Sequence, residues 1–147
     1  MAINRTCKYW DDIQTGDAIA KVTMAVPYEK VILDAAATND YFPGHHNPEY
    51  AKNQGQRQIY LNTMAIEGFI DRIATGWCGP HAFIKKRSIQ MRASIYAGDV
   101  LCGEGRVEKR YTDEQGQSLV DISIAVATDA GLCVPATLTL AIPRKSA

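Results

Sequence analysis

The sequence predicts a layered α+β protein, with one long helix set against an antiparallel sheet. Three observations lead there. Residues 63–77, "TMAIEGFIDRIATGW", place Ile66, Phe69, Ile70, Ile73 and Trp77 at intervals of three and four, which draws one broad apolar stripe along a helix. Everything beyond Pro80 reads as strands, over 81–95, 99–112, 118–128 and 133–142, joined by the turn-forming runs "YAGD", "DEQGQ" and "DAG" that suit antiparallel neighbours. Val120, Ile122, Ile124 and Val126 alternate with polar or small residues, the period of two that marks a half-buried strand. A sheet that wraps the central helix would bury it on most sides. It would also give a reason for Gly68 at mid-helix, where glycine costs about 1 kcal/mol relative to alanine: something packs close to it.

From the start of the chain, a first segment closes at "QTGD" (14–17), and "AIAKVTMAV" (18–26) has strand character up to Pro27. "YEKVILDAAATND" (28–40) reads as a short helix, since Val31, Ile32, Ala35 and Ala36 form two apolar pairs four apart on one side. A loop follows. "PEYAKNQG" (48–55) then gives one or two helical turns, with Pro48 at the first position and Gly55 beyond the end. "GWCGP" (76–80) closes the long helix. With no internal repeat, low-complexity tract or linker, residues 1–147 read as one domain.

Composition narrows the function. Lys+Arg and Asp+Glu number 16 each, so the net charge is zero, which argues against a nucleic-acid partner with its need for a basic excess. The run "IKKR" (84–87) is either a local basic patch for a phosphorylated ligand or a solvated strand face. "MAINRTCKYWDD" lacks the apolar run of a leader, and no stretch reaches the ~18 apolar residues of a membrane span, so no membrane role and a cytoplasmic location are expected. Cys7, Cys78, Cys102 and Cys133 are scattered without zinc-ligand spacing and read as reduced thiols, with no metal site.

The chemistry concentrates in "NDYFPGHHNPEYA" (39–51). Asp40 and His45 are five residues apart across Pro43 and Gly44, one residue that fixes φ and one that is free of the usual φ limits. Such a bend can turn a carboxylate at the end of one helix toward an imidazole near the start of the next. That pair can move protons near neutral pH. Asp before a Pro-Gly bend also caps backbone in ordinary loops, and the spacing leaves both readings open. His46 reads as a loop residue and His81 as a strand-end residue.

"AATNDYFPGHHNPEYA" resembles the motif of the MaoC-like hydratases, roughly A-x-x-[ST]-x-D-x-x-P-x-H-x-[DN]-P-x-x-A, with Thr38, Asp40, Pro43, His45, Asn47, Pro48 and Ala51 falling on it. "WDDIQTGD" upstream and "YAGDVLCGEGRV" downstream extend the likeness over most of the chain. The segment "QIYLNTMAIEGFIDRIATGWCGP" (58–80) is similar to the small subunits of two-chain MaoC-like enoyl-CoA hydratases of steroid side-chain breakdown.

The resemblance implies a hot-dog fold, a long helix wrapped by a strongly bent antiparallel sheet. It implies (R)-type hydration of a trans-2-enoyl-CoA, with Asp40 and His45 as the water-holding dyad. It implies no cofactor, because coenzyme A is part of the acyl-CoA substrate. It further implies assembly as a homodimer or as a heteromer with a second hot-dog chain. The family's oxyanion donor lies in an H-G-M turn entering the central helix. "LNT" (61–63) stands there, so a side chain, Asn62, sits where the thioester should lie, and it either narrows the channel or adds a hydrogen bond. Gly44, Tyr41 and Phe42 complete the substrate-binding candidates, the two aromatic residues being as suited to plain packing as to an acyl pocket. Two alternatives remain: a hot-dog acyl-CoA thioesterase, for which Glu67 or Asp71 on the central helix would serve, and a non-catalytic hot-dog subunit that shapes a partner's tunnel.

Overall fold

A computed structural model describes residues 7–145. Residues 1–6, half of the N-terminal stretch read as lacking a leader, lie outside the described residues. In chain order the elements are β1 (Ala18–Ala25), α1 (Tyr28–Ala37), α2 (Pro48–Asn53), α3 (Thr63–Cys78), β2 (Phe83–Ile89), β3 (Val100–Thr112), β4 (Ser118–Thr128) and β5 (Gly131–Ala141). The five strands form one antiparallel sheet in the order β1-β3-β4-β5-β2. The expected α+β hot-dog architecture, a long helix against a bent antiparallel sheet, is what the chain adopts.

The alternation in β4 does what period two requires. Val120, Ile122, Ile124 and Val126 are all buried, and across the ladder Val134, Ala136, Leu138 and Leu140 of β5 face the same way. Against this face lies the stripe of α3, with Ile66, Phe69, Ile70 and Ile73 buried and Trp77 packed at its margin. Gly103 of β3 is where helix and sheet come closest: a Cβ there would fall inside contact distance of the Ile73 side chain and 3.1 Å from the Phe69 ring.

Four expectations are corrected. The 81–95 strand ends at Ile89, whose register partner is Ala136. The next residue of β5 is Pro135, which has no N–H to donate. Its carbonyl still accepts from Gln90 N (3.1 Å), but the ladder stops and residues 90–95 run on as an irregular segment. The 28–40 helix ends at Ala37 because Thr38 turns its hydroxyl onto the Asp34 carbonyl (2.6 Å) and Asn39 takes a left-handed φ of 56°. On α1 only Val31 and Ala35 are buried; Ile32 and Ala36 are exposed. Among the described residues nothing packs on Gly68, which is exposed with open space beside it, so there the helix is covered on its sheet side only.

Of the "IKKR" run, Lys85 bonds Gln117 (2.6 Å) and Arg87 reaches back to Glu67 (2.9 Å) and Asp71 on α3. Among the described residues no helix is long and apolar enough to cross a membrane.

Candidate active site

The end of α1 aims Asp40. Its N–H donates to Ala35 O (2.9 Å), a helix-closing bond across the left-handed Asn39. A single 3-10 turn, Pro43–His45, brings the chain back, and Asn47 starts α2 by accepting from Tyr50 N (3.0 Å). This places His45 Nε2 3.4 Å from Asp40 Oδ2. The His45 side chain is buried, at 8% exposure, while that of Asp40 keeps about a quarter of its surface open at 28%.

The other ring nitrogen settles the tautomer. His45 Nδ1 lies 2.7 Å from the Tyr60 carbonyl oxygen, and a carbonyl can only accept. Nδ1 therefore carries a hydrogen. In the neutral ring Nε2 is then an acceptor facing a second acceptor, so the pair needs one proton, or a donor such as water, between Nε2 and Oδ2. A separation of 3.4 Å is wider than a direct hydrogen bond of about 2.7–3.2 Å. The arrangement suits a pair that shares one proton and receives a water.

Aromatic rings wall this pair. Tyr60 stands edge-on to the imidazole at 5.1 Å between centroids and Phe42 at 5.5 Å. Burial, helped by the neighbouring Tyr50, Tyr96 and Asp40, raises the Tyr60 hydroxyl above the ordinary tyrosine range, so it stays protonated. Beside His45 opens a cavity of about 230 Å³, bounded by Tyr60, Leu61, Asn62 and Thr63 on one side and by residues 91–94 on the other. The N-terminus of α3 abuts it, and the first-turn amides there have no acceptor within the helix.

Asp40 and His45 are thus brought together. Asn62 lies beside them with both polar atoms of its side chain already bonded: Oδ1 caps α3 by accepting from Ala65 N (2.9 Å), and Nδ2 donates to Thr38 Oγ1 (2.6 Å). Asn62 is part of the cavity lining, its side-chain nitrogen and oxygen engaged within the chain. Gly44 is a packing position, since a Cβ there would sit 2.6 Å from the Phe42 ring and 2.7 Å from the Tyr60 hydroxyl. Tyr41 is 66% exposed and supplies only its carbonyl, to His46 Nε2 (3.1 Å). Phe42 packs on His45 and Tyr50, and neither Tyr41 nor Phe42 lines the cavity. Glu67 and Asp71 are both engaged by Arg87.

Sequence reasoning missed Tyr60, whose part is played by a main-chain carbonyl that no residue pattern marks. It also missed the 91–94 wall, hidden inside a segment read as strand. Thr38 was visible only as a motif match.

No protein-family model matches the chain. The 3-oxo-4,17-pregnadiene-20-carboxyl-CoA hydratase beta subunit of Mycobacterium tuberculosis is 32% identical over 77 residues, 52% of this chain and 60% of that protein, so the chain matches less than two thirds of its relative's length. Among solved structures, the crystal structure of the ChsH1-ChsH2 complex from Mycobacterium tuberculosis has a chain 26% identical, with TM-score 0.81 over 88% of this chain and 98% of that one. At 21% identity and TM-score 0.81, the R-hydratase PhaJ1 from Pseudomonas aeruginosa shares the fold over 93% of this chain and 86% of that one. A MaoC-like dehydratase from Rhodospirillum rubrum does so at 14% identity and TM-score 0.83, over 95% and 99%. The fold and the order of its elements agree with these likenesses: the chain has the hot-dog fold and is similar to MaoC-like hydratases.

Proposed function

We propose that the chain is an enoyl-CoA hydratase that adds water across a trans-2-enoyl-CoA to give a 3-hydroxyacyl-CoA. The observation that carries this reading is the Asp40–His45 pair, 3.4 Å apart, with Nδ1 anchored on a carbonyl and a cavity beside the ring. Water between the two groups gives its oxygen to C3 and a proton to one of them. C2 receives a proton from the pair. Water supplies every added atom, so coenzyme A enters with the substrate and no further cofactor is needed. Acid–base help of this kind contributes about 10²–10⁴ in rate.

As C2 takes on enolate character the thioester oxygen gains negative charge. The main-chain amide of Asn62, at the start of α3, is the donor assigned to it, and one such donor contributes about 3–4 kcal/mol.

The cavity of about 230 Å³ is smaller than the roughly 300–1,000 Å³ of ordinary ligand pockets. A second hot-dog chain would complete the acyl channel, a reading supported by the similar beta subunit and by the similar chain in the two-protein complex. The substrate named for that relative makes a steroid-derived acyl-CoA the first to try. A thioesterase using the central helix is less well supported, since Arg87 holds both Glu67 and Asp71.

The test is the loss of enoyl-thioester absorbance with short-chain and bulky branched enoyl-CoA substrates. The chain is purified from its own host with what copurifies, and compared with the Asp40→Asn variant. Hydration that falls at least about 100-fold in a folded variant supports the dyad. A folded Asp40→Asn protein that hydrates at the unaltered rate leaves the chain as a non-catalytic subunit.

A further inference from the structure

We propose that Thr38 and Asn62 form a brace that fixes where Asp40 stands relative to the start of α3, making both of them positioning residues for hydration; the role rests on the hydratase reading above. Asp40 takes its place from the last turn of α1, through Asp40 N to Ala35 O (2.9 Å). That helix is lightly held, with Val31 and Ala35 its only buried residues. His45, by contrast, is buried and tied to Tyr60, which follows Ile59 and precedes Leu61 in a buried stretch. The two halves of the pair therefore sit on unequal footings, and something must hold the looser one.

Asn62 does this from a buried position, at 2% exposure. Its orientation follows from chemistry: the Ala65 amide can only donate, so Oδ1 is the atom that faces it and Nδ2 faces Thr38. The Thr38 hydroxyl accepts from Nδ2 at 2.6 Å and passes its own hydrogen to Asp34 O, also at 2.6 Å. One line of hydrogen bonds thus joins the N-terminus of α3, where the thioester oxygen would be received, to the C-terminus of α1, two residues before Asp40. A shift of about 1 Å in a catalytic group can cost around 100-fold in rate, so the brace acts on turnover more than on binding.

The experiment uses Thr38→Val, Thr38→Ser and Asn62→Ser, each alone and with Thr38→Val also placed in the Asp40→Asn background. Serine at 62 keeps a capping oxygen for α3 but cannot reach Thr38, so loss of the brace is separated from loss of the helix start. Folding of each variant is checked by circular dichroism. Thr38→Val and Asn62→Ser are expected to lower kcat by about 10- to 100-fold with KM within about twofold. Thr38→Ser restores kcat. Thr38→Val added to Asp40→Asn lowers the rate no further, because the group being positioned is gone.

An unchanged kcat in folded Thr38→Val, or a full further loss in the Asp40→Asn background, overturns the brace and leaves the hydratase standing. Asp40→Asn at the unaltered rate, or no hydration by the unaltered protein, overturns the hydratase reading and the positioning role with it.

Discussion

His45 takes its tautomer from a main-chain atom, so the proton inventory of the site is set by how the chain folds around residue 60. Buried groups elsewhere have their protonation set as firmly. Cys78, in the last turn of α3, is fully buried and donates to Ala74 O (3.0 Å), and burial pushes its thiol from 9.0 up to about 11. The folded state holds this proton more tightly than the unfolded one. Its contribution to stability is therefore complete below pH 9 and is lost as pH rises from 9 to about 11, by about 2–3 kcal/mol. Denaturant melts at stepped pH should show that decline in the native protein. Cys78→Ala should flatten it.

At the scale of elements, the long helix and the strands of hairpin type were legible because burial and periodicity agree in them. The stripe of α3 and the alternation of β4 each obey one rule along their whole length. Reading failed where one residue changed the rule. Pro135 ended the β2 ladder from the opposite strand, a cross-sheet effect that no window along 81–95 contains. On α1, two of the four apolar residues read as lying on one side face outward, because the helix buries only the narrow strip of Val31 and Ala35. The helix–sheet contact at Gly103 was equally invisible, since it depends on Ile73 and Phe69 arriving from another element. Gly103→Ala should overpack this seam and destabilise the protein by about 1–3 kcal/mol, measured as a fall in the denaturant midpoint with an unchanged m value.

Over the whole molecule, the sheet ends in two edge strands, β1 and β2, and α3 leaves its Gly68 side open. Both features are surfaces that a partner would cover. The motif placed Asp40 and His45 together correctly, because it records which residues occupy the bend. It did not foretell that Asn62 would turn its side chain to Thr38, since that direction is decided by packing between two helices distant in sequence. The site is also built apart from the sheet. Residues 59–61 are joined to the segment between β2 and β3 by the Tyr60–Tyr96 bridge and by bonds from Leu61 N to Ile95 O and from Ala97 N to Ile59 O, both 2.9 Å. Residues 39–50 lie beyond that seam. They pair with none of the five strands, so local opening there would leave the strands paired. On slow warming, amide hydrogens of 39–50 should exchange with solvent before those of β3 and β4, and turnover should fail at a lower temperature than the circular dichroism of the sheet. Cooling from between the two temperatures should return full activity, so heat would first switch this protein off and only later denature it.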